Sequence, residues 1–284
     1  MSIRRVLVHL DDSNTCDDRL KTSLLIANSF HADIHGVYVE PQIPASLASE
    51  TNCMNEFSEP VTHELTPHIE RVKQQKKSIE DKLESIRQSS LQSIHWQSKR
   101  GNTRRVLSEL GLFNDLIIMT NEIDGDPLLQ VKPPATDIAV HTSCPVLVIP
   151  NNKPLKASSN NVLLTWNGSV ESSSAIHQSL PFLTMANNIT LFCARGEHVS
   201  ITDYEASKKS MLQYLRAHNL SIDMIDQDKS DKDISELLEQ QITNHHYDLL
   251  VTGAYDHSNI RELLFSSTTK ELLDNEKIPL LLAH

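Results

Sequence analysis

Three short stretches of this sequence carry side chains suited to holding a ligand. The first is Gly253 together with Ser266, Ser267 and Thr268. A glycine lets backbone come close to a bound group. Hydroxyls beside a helix start, with its free amides, suit a phosphate or a smaller anion. His257 and Arg261 add basic groups to the same segment. These residues also have a plain structural use, Gly253 as a left-handed turn and the serines as helix caps. The second stretch, Asp11-Asp12-Ser13, ends an apolar run. Asp11 can face a ligand from a strand tip, but Asp-x-Ser also makes a turn or an N-cap. The third stretch, Asn167-Gly168-Ser169, repeats that pattern with an amide in place of the carboxylate.

No catalytic constellation accompanies them. No GxSxG, Walker A or GxGxxG sequence occurs, and no spacing of Ser, His and Asp suggests a triad. The 14 histidines include the adjacent pair His245-His246, but neighbours on a helix do not face one way, and no HExxH occurs. No metal site and no catalytic residue is therefore expected. Cys16, Cys53, Cys144 and Cys193 lie far apart with no CxxC pair, so they read as free thiols of a reducing compartment. Only 7 of 284 residues are glycine, which is unfavourable for loops that wrap phosphates with backbone amides.

The net charge of −11 argues against nucleic acid or an anionic membrane surface as the main partner. No apolar stretch approaches the roughly 18 residues of a membrane span. The run Arg4 to Leu10 is too short for a signal peptide and stops at Asp11-Asp12, so it reads as a first strand of a cytoplasmic protein.

Short apolar runs alternate with helical patterns along the whole chain. In the first half the strands are Val6–Leu10, Ile34–Val39, Ser93–Gln97, Asp115–Thr120 and Pro145–Ile149. Helical patterns lie between them, with Leu20, Leu24 and Ala27 on one. A charged amphipathic helix from about Thr66 to Gln88 places Ile69, Val72, Ile79 and Leu83 on one side, its charges forming a solvated face. Residues 41–59 read as a long polar loop, and 151–156 as a linker. The second half repeats the pattern. Its strands are Asn161–Trp166, Ile189–Cys193, Ser221–Ile225, Asp248–Thr252 and Pro279–Ala283. Its helices are centred on Ala175–Leu183, Ser207–His218, Ile234–Ile242 and Arg261–Leu273. Such alternation predicts a parallel sheet covered on both faces.

The halves align as a repeat. Val6-Leu7-Val8-His9-Leu10-Asp11-Asp12-Ser13 matches Val162-Leu163-Leu164-Thr165-Trp166-Asn167-Gly168-Ser169. Asp115 to Thr120 matches Asp248 to Gly253, and Cys144-Pro145-Val146-Leu147-Val148 matches Ile278-Pro279-Leu280-Leu281-Leu282. The units are residues 1–150 and 158–284.

At these residues the chain resembles the universal stress proteins in their tandem form. The carriers are the two Asp/Asn-x-Ser turns, the two Cys/Ile-Pro-apolar closing strands, and Gly253-Ala254-Tyr255-Asp256-His257-Ser258 with Arg261-Glu262-Leu263-Leu264. The resemblance implies an α/β fold of two tandem doubly wound five-stranded parallel sheets, each of order 3-2-1-4-5, like the adenine nucleotide alpha hydrolases. It also implies a ligand at the switch point of each sheet, where the opening Asp contacts a nucleotide's base or ribose. Many family members hold ATP through Gly-x2-Gly-x9-Gly-[Ser/Thr]. Here the second and third glycines are Asp256 and Ser266, and Asp256 would repel a triphosphate if it faced the pocket. The first unit has Thr120-Asn121-Glu122-Ile123 at that position, and Pro133-Pro134 follow without N–H donors.

The expectation is a non-catalytic, stress-response binding protein with degenerate ATP loops, forming a homodimer. Its candidate ligand residues are Asp11, Asn167, Gly168, Gly253, Ser266, Ser267 and Thr268. No cofactor is expected. One alternative is an ATP-binding or slowly hydrolysing switch in the second unit, and another is a small-metabolite sensor with a remodelled pocket.

Overall fold

A computed structural model describes residues 2–40, 59–89, 92–120, 135–150, 153–156, 160–195, 200–227, 234–254 and 278–284. The first unit runs β1 (Arg5–Leu10), α1 (Thr15–Phe30), β2 (Asp33–Glu40), α2 (Glu59–Ser89), β3 (Ile94–Arg100), α3 (Thr103–Gly111), β4 (Leu116–Met119), α4 (Ala135–Val140) and β5 (Val146–Val148). The second runs β6 (Asn161–Trp166), α5 (Val170–Leu183), β7 (Asn188–Cys193), α6 (Ile201–Ala217), β8 (Asp223–Asp226), α7 (Ile234–Asn244), β9 (Leu249–Gly253) and β10 (Leu280–Ala283). The helix expected at Arg261–Leu273 and the loop at 41–58 lie outside the described residues.

The strands form one ten-stranded sheet of order β3-β2-β1-β4-β5-β10-β9-β6-β7-β8. Each half has the order 3-2-1-4-5, and every pairing within a half is parallel. The halves meet edge to edge through β5 and β10, the single antiparallel pairing among the described residues.

Alternation along the strands divides the apolar residues between two cores. Val6, Val8 and Leu10 of β1 join the core beneath α1 and α2, with Leu20, Ile26, Ile79 and Leu83. That core continues under α5 and α6 through Ile176 and Leu215. Leu7 points the other way, into the core that α3, α4 and α7 cover with Leu107, Ile138 and Leu238. Helices on both faces explain why the inner strands are nearly continuous apolar runs.

The duplication extends to single hydrogen bonds. The Asp115 carboxylate accepts from the backbone N–H groups of Arg4 and Arg5 at 2.8 and 3.0 Å. The Asp248 carboxylate accepts likewise from Asn160 and Asn161 at 2.9 and 3.1 Å. Buried Ser23 on α1 and Ser179 on α5 each donate to the carbonyl three residues back, both at 2.8 Å. This sets the register of α1 against α5, with Arg19 equivalent to Ala175.

Two helices differ from expectation. α6 begins at Ile201, earlier than the expected Ser207, because Ser200 caps it by accepting from the Asp203 N–H at 3.1 Å. Ile69 of α2, expected on the apolar side, is 58% exposed, while Ile79 and Leu83 are buried. A helix of 31 residues spans about 46 Å, far more than the roughly 26 Å of the eight-residue β2, so the sheet cannot cover it all.

Candidate ligand crevices

In each unit the winding reverses between the first and fourth strands, β1 and β4 or β6 and β9. Past their C-terminal ends lies the crevice where doubly wound sheets hold ligands. The two crevices are built differently.

In the first, Asp11 follows β1 and Thr120 follows β4. Asp11 makes a turn, with its Oδ1 accepting from the Ser13 N–H at 3.0 Å and from the Ser13 hydroxyl. It is not the cap of α1. That position is Asn14, whose side chain makes no capping bond. The main partner of Asp11 is Arg19, whose Nη2 donates to Asp11 Oδ1 at 2.5 Å. Arg19 Nη1 donates to the Thr120 hydroxyl at 2.6 Å and to the Thr15 hydroxyl at 3.3 Å. Arg19 is fully buried and Asp11 is 7% exposed. His9 Nδ1 lies 3.9 Å from the second Asp11 oxygen. A guanidinium thus spans the gap between the tips of β1 and β4, bound to the residue at each tip.

A charged side chain survives complete burial only when paired and hydrogen-bonded. The sequence reading overlooked Arg19 because a lone arginine on a helix is usually solvated. A signal existed: Arg19 shares one stripe with Cys16, Leu20, Ser23 and Ala27, all buried in the structure.

Helix α2 closes over the same end of the unit. Its Gln75 accepts from the Tyr38 hydroxyl at 2.7 Å and donates to Asp12 at 2.7 Å. Lys82 donates to Asp17 at 2.8 Å. Lys76 pairs with Glu40, which also accepts from Ser98 at 2.6 Å and Arg100 at 2.8 Å. Burial raises the Glu40 carboxyl, but the hydrogen bonds from Lys76, Ser98 and Arg100 outweigh it and hold the group at about 2. Burial pushes the Tyr38 hydroxyl above its ordinary range, and the charges of Asp12, Glu40 and Asp11 add to that. The polar face of α2, expected to be solvated, therefore supplies ties to the tips of β1 and β2.

In the second crevice Asn167, Ala175 and Gly253 occupy the positions of Asp11, Arg19 and Thr120. Asn167 makes the same turn, its Oδ1 accepting from the Ser169 N–H at 3.0 Å. Gly168 adopts φ 84°, a left-handed conformation that glycine takes without strain. Ser169 caps α5 by accepting from the Ser172 N–H at 3.1 Å. Gly253 abuts that first turn, where a Cβ would lie 2.6 Å from the Glu171 carbonyl carbon and 2.8 Å from Ser172 N. The structure thus gives Gly253 a packing duty independent of any ligand. Trp166, at the tip of β6, is 5% exposed, and its buried indole N–H has no hydrogen-bond partner among the described residues. Across the crevice shoulder, Lys208 pairs with Asp226 and Glu205, and Tyr204 donates to the Trp166 carbonyl at 3.4 Å. Ser266, Ser267 and Thr268, with Asp256, His257 and Arg261, lie outside the described residues.

The described cysteines are buried, Cys16 beside Asp11 and Arg19 of the first crevice and Cys193 beside Trp166 at the second. Burial pushes the Cys144 thiol up to about 11 and Cys193 to about 12, and raises Cys16 as well. Among the described residues no three His, Cys, Asp or Glu side chains converge, and no helix is long and apolar enough to cross a membrane.

No protein-family model and no curated protein matches the chain. Solved structures do. A universal stress protein from Archaeoglobus fulgidus superposes with a TM-score of 0.64 at 10% identity, over 99% of this chain and 96% of that one. A protein of Pseudomonas aeruginosa UCBPP-PA14 assigned to the universal stress proteins gives 0.61 at 15% identity, over 99% and 93%. A functionally unknown protein from Pseudomonas aeruginosa PAO1 gives 0.60 at 15%, over 99% and 92%. These matches span both units at once, and the chain has the full-length tandem fold of the universal stress proteins.

Proposed function

We propose that this chain is a tandem universal stress protein that acts by binding rather than catalysis, with its first crevice closed to nucleotides. The observation that carries the proposal is Arg19, which bonds Asp11 and Thr120 across the crevice. A nucleotide that used Asp11 would have to displace a buried guanidinium and leave its charge unpaired, which is strongly unfavourable. The degenerate phosphate loops act in the same sense. In this reading the first unit is a structural platform and any regulated ligand belongs to the second. Calorimetric titration with ATP and Mg²⁺ tests the reading. Absence of micromolar binding is expected, and stoichiometric binding at both crevices overturns it.

A second reading has its own support. Among the described residues Ala175 leaves the second crevice without a counterpart of Arg19, which leaves Asn167, Gly168 and Gly253 as candidate ligand residues there. That set would serve an ATP-gated or slowly hydrolysing switch, or a sensor of another metabolite. One ATP per chain, lost on Asn167→Ala, would select the nucleotide switch. A homodimer belongs to the proposal too. Since β5 and β10 pair within the chain, the sheet edges left for a second copy among the described residues are β3 and β8. Light scattering that returns a monomer mass at micromolar concentration removes the dimer.

A further inference from the structure

The two units share a cavity at the end of the sheet opposite the crevices. It lies where α1 of the first unit meets β6, α5 and β9 of the second, and has a volume of about 90 Å³. Its deep wall is Ile26, Val162 and Leu249, each no more than 2% exposed, with Phe182 beside them. Phe30 meets Phe182 edge to face across the seam, with ring centroids 6.0 Å apart. Leu155 covers one side, and its backbone N–H is held by the Thr22 hydroxyl at 3.2 Å. Met185, half exposed, sits at the mouth.

From this geometry we infer that the seam cavity binds a small, uncharged, apolar molecule, of the size of a short branched alkyl group or a single small ring. The lining is aliphatic and aromatic at depth, Ser29, Lys156 and Asn160 are its polar members, and no carboxylate lines it among the described residues. Such a space is dry rather than water-filled, and its walls lack dispersion partners that a guest would supply. An apolar cavity of about 150 Å³ takes up benzene or xenon, so this smaller one admits xenon directly and a ring when the mouth yields. Met185 suits that task, because its unbranched side chain rearranges at low cost. Lys156 lies at the cavity edge, where its stem can cover apolar surface while the ammonium stays in water.

The site is separate from both crevices and independent of the nucleotide proposal. Its walls come from both units and the segment joining them, so a guest contacts both at once and favours their docked arrangement.

Xenon under pressure in crystals of the full chain, and benzene in solution, are the probes. Xenon is expected among Ile26, Val162, Phe182 and Leu249. Near-saturating benzene is expected to raise the thermal midpoint by about 2 °C, and benzoate at equal concentration to give no rise. Met185→Trp, which plugs the mouth from an exposed position, should abolish the benzene shift. Ser29→Phe, on the opposite rim, provides a second plug if the first variant folds poorly. An empty cavity under xenon, no benzene shift, an equal shift with benzoate, or a benzene shift that survives the plug would each overturn the inference.

Discussion

Leu147 and Leu281 face each other across the antiparallel β5–β10 pair, and they are the same position of the two repeats. Their neighbours are exchanged about that pair, Val146 facing Leu282, the equivalent of Val148, and Val148 facing Leu280, the equivalent of Val146. Equivalent residues meeting in this way define a pseudo-two-fold axis through the seam, as in an isologous dimer interface. Both leucines are fully buried in the core beneath α1 and α5. Each of Leu147→Ala and Leu281→Ala is therefore expected to cost about 2–5 kcal/mol. Because the residues touch one seam, the double variant should depart from additivity. Urea unfolding of the three variants measures both effects.

Gly253 distinguishes packing from ligand binding. A Cβ there would lie 2.6 Å from the Glu171 carbonyl carbon, and backbone cannot step aside as a flexible side chain can. Gly253→Ala should destabilise the protein without ligand by about 1–3 kcal/mol. A thermal midpoint unchanged in the absence of ligand would show that the glycine is not needed for packing.

The doubly wound order and the duplication were legible because they rest on periodicity. Strands such as Val6–Leu10 and Asp248–Thr252 are apolar runs of strand length, and the Pro-apolar strands recur in order. The edge-to-edge joining was not legible, since nothing in Pro145-Val146-Leu147-Val148 names its partner. At the site, sequence found the turns at Asp11 and Asn167 but not what they hold. Arg19 was hidden because type alone places an arginine outside. Its burial depends on Asp11, eight residues away, and on Thr120, which is distant in sequence and neighbouring only through β1–β4 pairing. The Gln75 and Lys76 ties of α2 were hidden for the same reason, as pairs that exist only once the helix is laid over the strand tips.

Glu40 predicts a direction for acid sensitivity. Its carboxyl falls from 4.5 to about 2 on folding, so its ion pairs with Lys76 and Arg100 stabilise the protein above the unfolded value. That contribution is lost as pH falls from about 4.5 toward 2, and amounts to roughly 3 kcal/mol at most. Glu40→Gln should flatten the stability profile in that window and leave little slope near pH 7. Urea midpoints of the two proteins between pH 2 and pH 7 check this.

The thiols should be inert while the fold is intact. Cys16, Cys144 and Cys193 are buried, and their raised thiol values leave little thiolate at neutral pH. Maleimide labelling followed by peptide mass spectrometry should find these three unmodified in native protein and modified after unfolding. Fast native labelling at any of them would show an opening that this packing does not provide.

The closed first crevice is tested most directly by a double-mutant cycle between Asp11 and Arg19. Asp11→Asn and Arg19→Ala install the second unit's residues, Asn167 and Ala175, at these positions. Arg19→Ala alone should cost about 3–5 kcal/mol, since it strands a buried carboxylate. Adding Asp11→Asn should recover part of that loss, giving a coupling energy of about 2 kcal/mol or more by urea unfolding. Costs that simply add would contradict the account, because they would mean that Asp11 and Arg19 do not depend on one another.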